Sequence, residues 1–105
     1  MTRPALLELQ AKLRAARTAV PPSSVWEHLG TAGIYVVTGH AFDADTEEVA
    51  ICYRALDAAL YVDSTRSTYI TFSRSLARFV EPRRFRQLSV TEATVEMRAA
   101  GRRNS

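Results

Sequence analysis

The chain has 105 residues, of which 47% are apolar and 24% charged, with a net charge of +3. That length supports a single domain burying about two thirds of its unfolded surface, and the composition excludes global disorder. The net charge is low for a dedicated nucleic-acid binder, and the longest uncharged run, Leu29 to Phe42, is too short and too glycine-interrupted for a membrane-spanning helix.

In chain order, the first expected element is an amphipathic helix over residues 3–19. Leu6, Leu9, Leu13, Ala16 and Val20 recur at three- and four-residue spacing, with Glu8, Gln10, Lys12 and Arg14 on the other side. Thr2 can cap it, Pro4 is tolerated in its first turn, and Pro21-Pro22-Ser23-Ser24 stops it. A stripe of this width predicts either a lid on the core or a homo-oligomer seam through Leu6, Leu9 and Leu13. The N-terminus lacks the apolar core and cleavage site of a signal peptide, and Cys52 is the only cysteine, so a cytoplasmic location is expected.

A loop is expected around Trp26 and His28. Ile34 to Phe42 reads as a strand with Gly39 marking a bulge, Asp43-Ala44-Asp45-Thr46 as a turn, and Val49 to Leu56 as the returning strand. On that strand Val49, Ile51, Tyr53 and Ala55 share one face, and Ala50, Cys52 and Arg54 the other. A second hairpin is predicted from Leu60-Tyr61-Val62 and Tyr69-Ile70-Thr71-Phe72. A helical turn follows at Leu76, Phe79 and Val80, then a closing strand over Phe85 to Leu88. Ser89 and Glu92 have capping-box spacing, with Val90, Ala93, Met97 and Ala100 at helical intervals and Gly101 as the stop.

The expected organisation is therefore an N-terminal helix (1–20), a β-rich core (25–88) and a short C-terminal helix with its tail (89–105). This is an α+β class, and successive hairpins favour a small antiparallel β-barrel-like core of SH3-like type. Its middle is electrically polarised: from Ala41 to Asp63 six acids face one arginine, and from Ser64 to Arg86 six arginines face one glutamate. That pattern fits either a positive ligand-attracting face or two solvated loops of opposite sign.

The segments Trp26-Glu27-His28, Gly33-Ile34-Tyr35-Val36-Val37-Thr38-Gly39, Ala41, Asp45-Thr46-Glu47-Glu48 and Tyr53-Arg54-Ala55-Leu56 occur in order, followed by Arg74, Leu76 and Phe79. Together they resemble a small bacterial and phage family, domain of unknown function 1653, over roughly residues 26–81. The segment between Leu56 and Arg74 is longer than in that family, and both terminal helices lie outside its core. The resemblance implies a compact β domain and no particular activity.

No nucleophile, base and orienting group can be named together, so no catalytic residue is assigned. His28, His40 and Cys52 lack the close spacing of a zinc site, no phosphate-cradling glycine loop occurs, and neither metal nor cofactor is expected. Binding groups are present nonetheless. Arg54 and Arg74 offer bidentate forks for an anion, Tyr35, Tyr53, Tyr61 and Tyr69 offer stacking faces, and His28 and His40 flank the glycine-containing strand.

The expected function is non-enzymatic binding of a small anionic, nucleotide-like molecule, for sensing or sequestration. The alternatives are a nucleic-acid accessory protein, through Arg83, Arg84 and Arg86, or a structural adaptor that uses the N-terminal helix. The site is expected to be the largest polar concavity, lined by Arg74, Tyr35 or Tyr53 and one histidine. Arg54 points away from Tyr53 and would reach it only from a second subunit.

Overall fold

The computed structural model describes residues 3–56, 61–63, 65 and 68–104. Helix α1 (Arg3–Ala19) is followed by strands β1 (Val25–His28), β2 (Ile34–Phe42), β3 (Val49–Ala55) and β4 (Phe72–Ser75), a single helical turn α2 (Leu76–Phe79), strand β5 (Phe85–Gln87) and helix α3 (Val90–Asn104). The five strands form one antiparallel sheet in the order β4-β3-β2-β1-β5. The class is α+β, as expected, but the sheet is not closed by hydrogen bonds.

The sheet nevertheless curls. In a flat sheet, four steps of about 4.8 Å would place β4 and β5 about 19 Å apart. The guanidinium of Arg74 on β4 lies only 5.7 Å from the ring centre of Phe85 on β5. The two edges therefore lean toward each other across the inner face.

Alternation along the strands produces two apolar layers. Trp26, Val37, Val49, Ile51 and Tyr53 fill the concave inner face with Phe79 of α2 and with Ala16 and Val20 from the end of α1. Val25, Val36, Leu56 and Leu88 form the outer layer, against which α3 packs Ala93 and Ala100. The bulge expected at Gly39 falls between Val37, paired with Tyr53, and Gly39, paired with Cys52. It reverses the phase of β2, so that His40 and Phe42 join Val37 on the inner side instead of Gly39 and Ala41.

Helix α1 ends where the Pro-Pro pair begins, and Trp26 Nε1–H donates to Ser24 Oγ at 2.8 Å, tying the linker to β1. Leu9 is buried and Leu13 half-buried, so much of the leucine stripe is taken up within the chain, but Leu6 remains 47% exposed. The capping role expected of Thr2 lies outside the described residues. At α3 the capping box forms as expected: Glu92 N–H donates to Ser89 Oγ and Ser89 N–H to Glu92 Oε1, both at 3.1 Å. The helix continues through Gly101 to Asn104, since one interior glycine costs only about 1 kcal/mol. Val90 and Met97 do not join its buried side.

Two further expectations are corrected. The segment around Trp26 and His28 is a strand, not a loop, paired on both sides with Trp26 opposite Tyr35 and His28 opposite Phe85. The second hairpin is shorter than expected: Tyr61 and Tyr69 make an isolated antiparallel bridge, Val62 N–H donates to the Thr68 carbonyl at 2.8 Å, and Leu60 lies outside the described residues. The fourth strand starts at Phe72 and pairs with β3, setting Phe72 opposite Tyr53 and Arg74 opposite Ile51. Its neighbours Ser73 and Ser75 deprive it of the apolar alternation by which strands are read.

Candidate functional site

All five strands send an aromatic ring or a polar group to the inner face at one end of the sheet. His28 comes from β1, Tyr35 from β2, Tyr53 from β3, Phe72 and Arg74 from β4, and Phe85 from β5. With Thr31 from the β1–β2 loop they line a cavity of about 200 Å³.

Its walls are rings set at steep angles. Tyr35 stands 87° to both Tyr53 and Phe72, with ring centres 5.4 and 6.3 Å away, and Phe85 lies edge-on to Tyr35 and Tyr53 at 6.2 and 5.9 Å. Phe85 is stacked at 4.4 Å on fully buried Phe79, which fixes this wall to the core. Gly33 has a steric part in the arrangement, because a Cβ there would come within 3.1 Å of the Tyr35 ring. The glycine two residues before the tyrosine lets that ring lie back over the loop.

Arg74 is half-buried at the cavity wall. Its Nε donates to the Tyr53 hydroxyl at 3.3 Å, and its guanidinium sits over Phe85. Among the described residues no carboxylate forms an ion pair with it; Lys12 pairs with Glu8, Arg84 with Glu81, and Arg86 with both Glu27 and Glu92. On its other side the Arg74 side chain borders a second cavity of about 310 Å³, which Asp43 and Glu48 also line.

Beside the cavity, His28 Nδ1 accepts the Thr31 N–H at 3.2 Å and lies 3.1 Å from Thr31 Oγ1. Thr31 Oγ1 in turn accepts the Gly33 N–H at 3.3 Å. The imidazole packs edge-on to Phe85 at 5.1 Å.

Four of the residues expected at the site, Arg74, Tyr35, Tyr53 and His28, thus share one cavity. Arg54 and His40 do not line it. Arg54 lies on the outer face, as strand alternation requires, 3.9 Å above the ring of Tyr69. Tyr69 is stacked at 4.3 Å on Tyr61, whose hydroxyl donates to the Tyr69 hydroxyl at 2.7 Å. His40 Nε2–H donates to the Val20 carbonyl at 2.8 Å, closing the end of α1. Cys52 is on the outer face, on the opposite side of the sheet from both histidines.

The cavity is not the largest polar concavity, contrary to expectation: the one shared by Arg74, Asp43 and Glu48 is about 310 Å³, and another between His28 and Arg84 is about 260 Å³. A mostly apolar one of about 350 Å³ lies between α1 and α2, lined by Lys12, Ala15, Val49 and Leu76. Sequence reasoning missed Phe72, Phe85 and Thr31 as lining residues. Phe72 was within reach, because residues two apart on a strand share a face and it stands two before Arg74. Phe85 became visible only with the pairing of β5 to β1.

Of the arginines considered for nucleic acid, Arg84 is held by Glu81 at 2.9 Å, and Arg86 bridges Glu27 and Glu92 at 3.3 and 3.0 Å. These pairs raise the Arg86 guanidinium above its ordinary value, Glu92 being the main cause. The Glu92 carboxyl is lowered, first by the Ser89 N–H and then by Arg86. Among the described residues no helix is long and apolar enough to cross a membrane.

No protein-family model, curated protein or solved structure matches this chain at a significant level.

Proposed function

We propose that this chain is a non-enzymatic small-ligand-binding domain whose site is the aromatic cavity around Arg74, and that its ligand is a small anion carrying a flat ring. The observation that carries this reading is a half-buried guanidinium with no ion-pair partner among the described residues, set beside three ring planes. A charge withdrawn from water is costly unless it is paired, and a bound carboxylate or phosphate would supply the pair. Sensing or sequestration of a nucleotide-like signal fits this chemistry, with one group of the ligand inside the cavity and the remainder outside.

The reading includes a barrel-like, SH3-like core, supported by the approach of the two sheet edges, and membership of the family named above, supported by the steric role of Gly33 beside Tyr35. A cytoplasmic location belongs to it too, supported by the single cysteine. The nucleic-acid alternative is weakened by the carboxylates that hold Arg84 and Arg86.

The test is a thermal-shift series with mono-, di- and cyclic nucleotides on the wild type and on Arg74→Ala. A ligand at one hundred times its dissociation constant adds about 2.7 kcal/mol. Arg74→Ala should remove about 1.5–3 kcal/mol of binding while the unliganded protein stays folded. Equal stabilisation of both proteins would take Arg74 out of the site.

A homo-oligomer, or an adaptor role for α1, is proposed on a narrower basis than the full leucine stripe, because Leu6 and Leu7 are exposed whereas Leu9 is buried in its own chain. Changing Leu6 and Leu7 together to lysine should lower the mass measured by light scattering without lowering the melting temperature. An unchanged mass would make α1 only a lid.

A further inference from the structure

Resting on the anion-site reading above, we infer that the group seated in the cavity is an aromatic carboxylate of benzoate type, its ring against Tyr35, Phe72 and Phe85 and its carboxylate on the guanidinium of Arg74. Three observations carry the inference.

The first is size. A cavity of about 150 Å³ holds a benzene ring, and this one, at about 200 Å³, is about a third larger. The surplus suits a carboxylate. It does not suit a ribose phosphate, since sites that enclose drug-sized ligands begin at about 300 Å³.

The second is the wall. Tyr35 is nearly perpendicular to Phe72 and to Phe85, so two adjoining ring planes meet it almost at right angles. An inserted ring can lie flat on one wall and meet another edge-on, and both geometries are favourable for aromatic pairs.

The third is charge. Aromatic corners of this kind otherwise attract cations, but here Arg74 already places a cation over Phe85, and no carboxylate is among the described residues that line the cavity. A second cation would be repelled. A planar anion instead meets the fork of Arg74, whose Nε is already oriented by the Tyr53 hydroxyl, and guanidinium pairs with carboxylate through two parallel bonds. Thr31 and His28 add polar groups to the same lining.

The experiment is a titration of the full chain by calorimetry and thermal shift with benzoate, benzamide, acetate, inorganic phosphate and adenosine monophosphate. Benzoate should bind saturably, with benzamide and acetate each at least tenfold weaker, because one lacks the charge and the other the ring. Arg74→Ala should abolish benzoate binding, Arg74→Lys should weaken it at least tenfold by replacing the fork with a point charge, and Arg54→Ala should leave it unchanged.

Phosphate or adenosine monophosphate binding that depends on Arg74, with benzoate inert, would overturn the carboxylate inference and leave the anion site standing. Benzamide binding as tightly as benzoate would show an uncharged apolar slot and overturn both. Should Arg74→Ala fail to fold, Arg74→Lys decides the question, because it keeps the positive charge at the wall. Failure of all five compounds to bind the wild type would remove the site.

Discussion

Arg54 and Arg74 stand on adjacent strands of one sheet, each over an aromatic ring, and they belong to different kinds of structure. On the outer face Arg54, Tyr69 and Tyr61 form a closed stack, with 3.9 Å from guanidinium to ring and 4.3 Å from ring to ring. On the inner face Arg74 lies 5.7 Å from Phe85 and borders an open cavity. Residue type does not separate the two arginines. Room in front of the charge does, and that room comes from the curl of the sheet, which brings β4 and β5 together without letting their backbones pair.

Phe79 is fully buried and stacks on Phe85, so Phe79→Ala should cost about 3–5 kcal/mol in chemical denaturation. Arg54→Ala, which opens only the outer stack, should cost about 0.5–2 kcal/mol. Comparable losses in both variants would mean that the inner rings are no more structural than the outer ones.

A smaller effect separates the periphery from the cavity by pH. The Asp43 carboxyl is lowered below its ordinary 3.8 mainly by the Asp45 N–H, then by that of Thr46, and Glu92 is lowered below its ordinary 4.5 mainly by the Ser89 N–H. A carboxyl depressed in the folded state adds stability that is full above the ordinary value and lost as pH falls through the folded one. Acidification from about pH 5 to 2 should therefore loosen the β2–β3 turn and the start of α3, read as loss of amide-exchange protection there. Protection that rose over this interval would contradict the assignment.

Much of this architecture is legible in the chain. The helix over 3–19, the β2–β3 hairpin, the bulge at Gly39 and the capping box at Ser89 follow from local rules that tertiary contacts here reinforce. What escapes reading is non-local. Val25–His28 is too short and too polar to announce itself, and it becomes a strand through distant partners, as in Glu27 with Ile34 seven residues away on one side and Arg86 fifty-nine residues away on the other. Phe72–Ser75 turns an arginine inward between two serines, which defeats alternation.

The candidate site follows the same division. Strand periodicity separates Tyr53 from Arg54, whereas the meeting of Arg74 and Phe85 depends on curvature that no local pattern encodes. His40 shows how one extra residue misleads: the bulge turns it inward, where it closes α1 through the Val20 carbonyl.

The most direct test follows the guanidinium Nε–H resonances of Arg74 and Arg54 by nuclear magnetic resonance as benzoate, or failing that inorganic phosphate, is added. The Arg74 signal should shift saturably and exchange more slowly with solvent, while that of Arg54 stays in place against Tyr69. A shift at Arg54 alone, or parallel small drifts at both without saturation, would contradict the claim that the inner arginine is the one kept for a ligand.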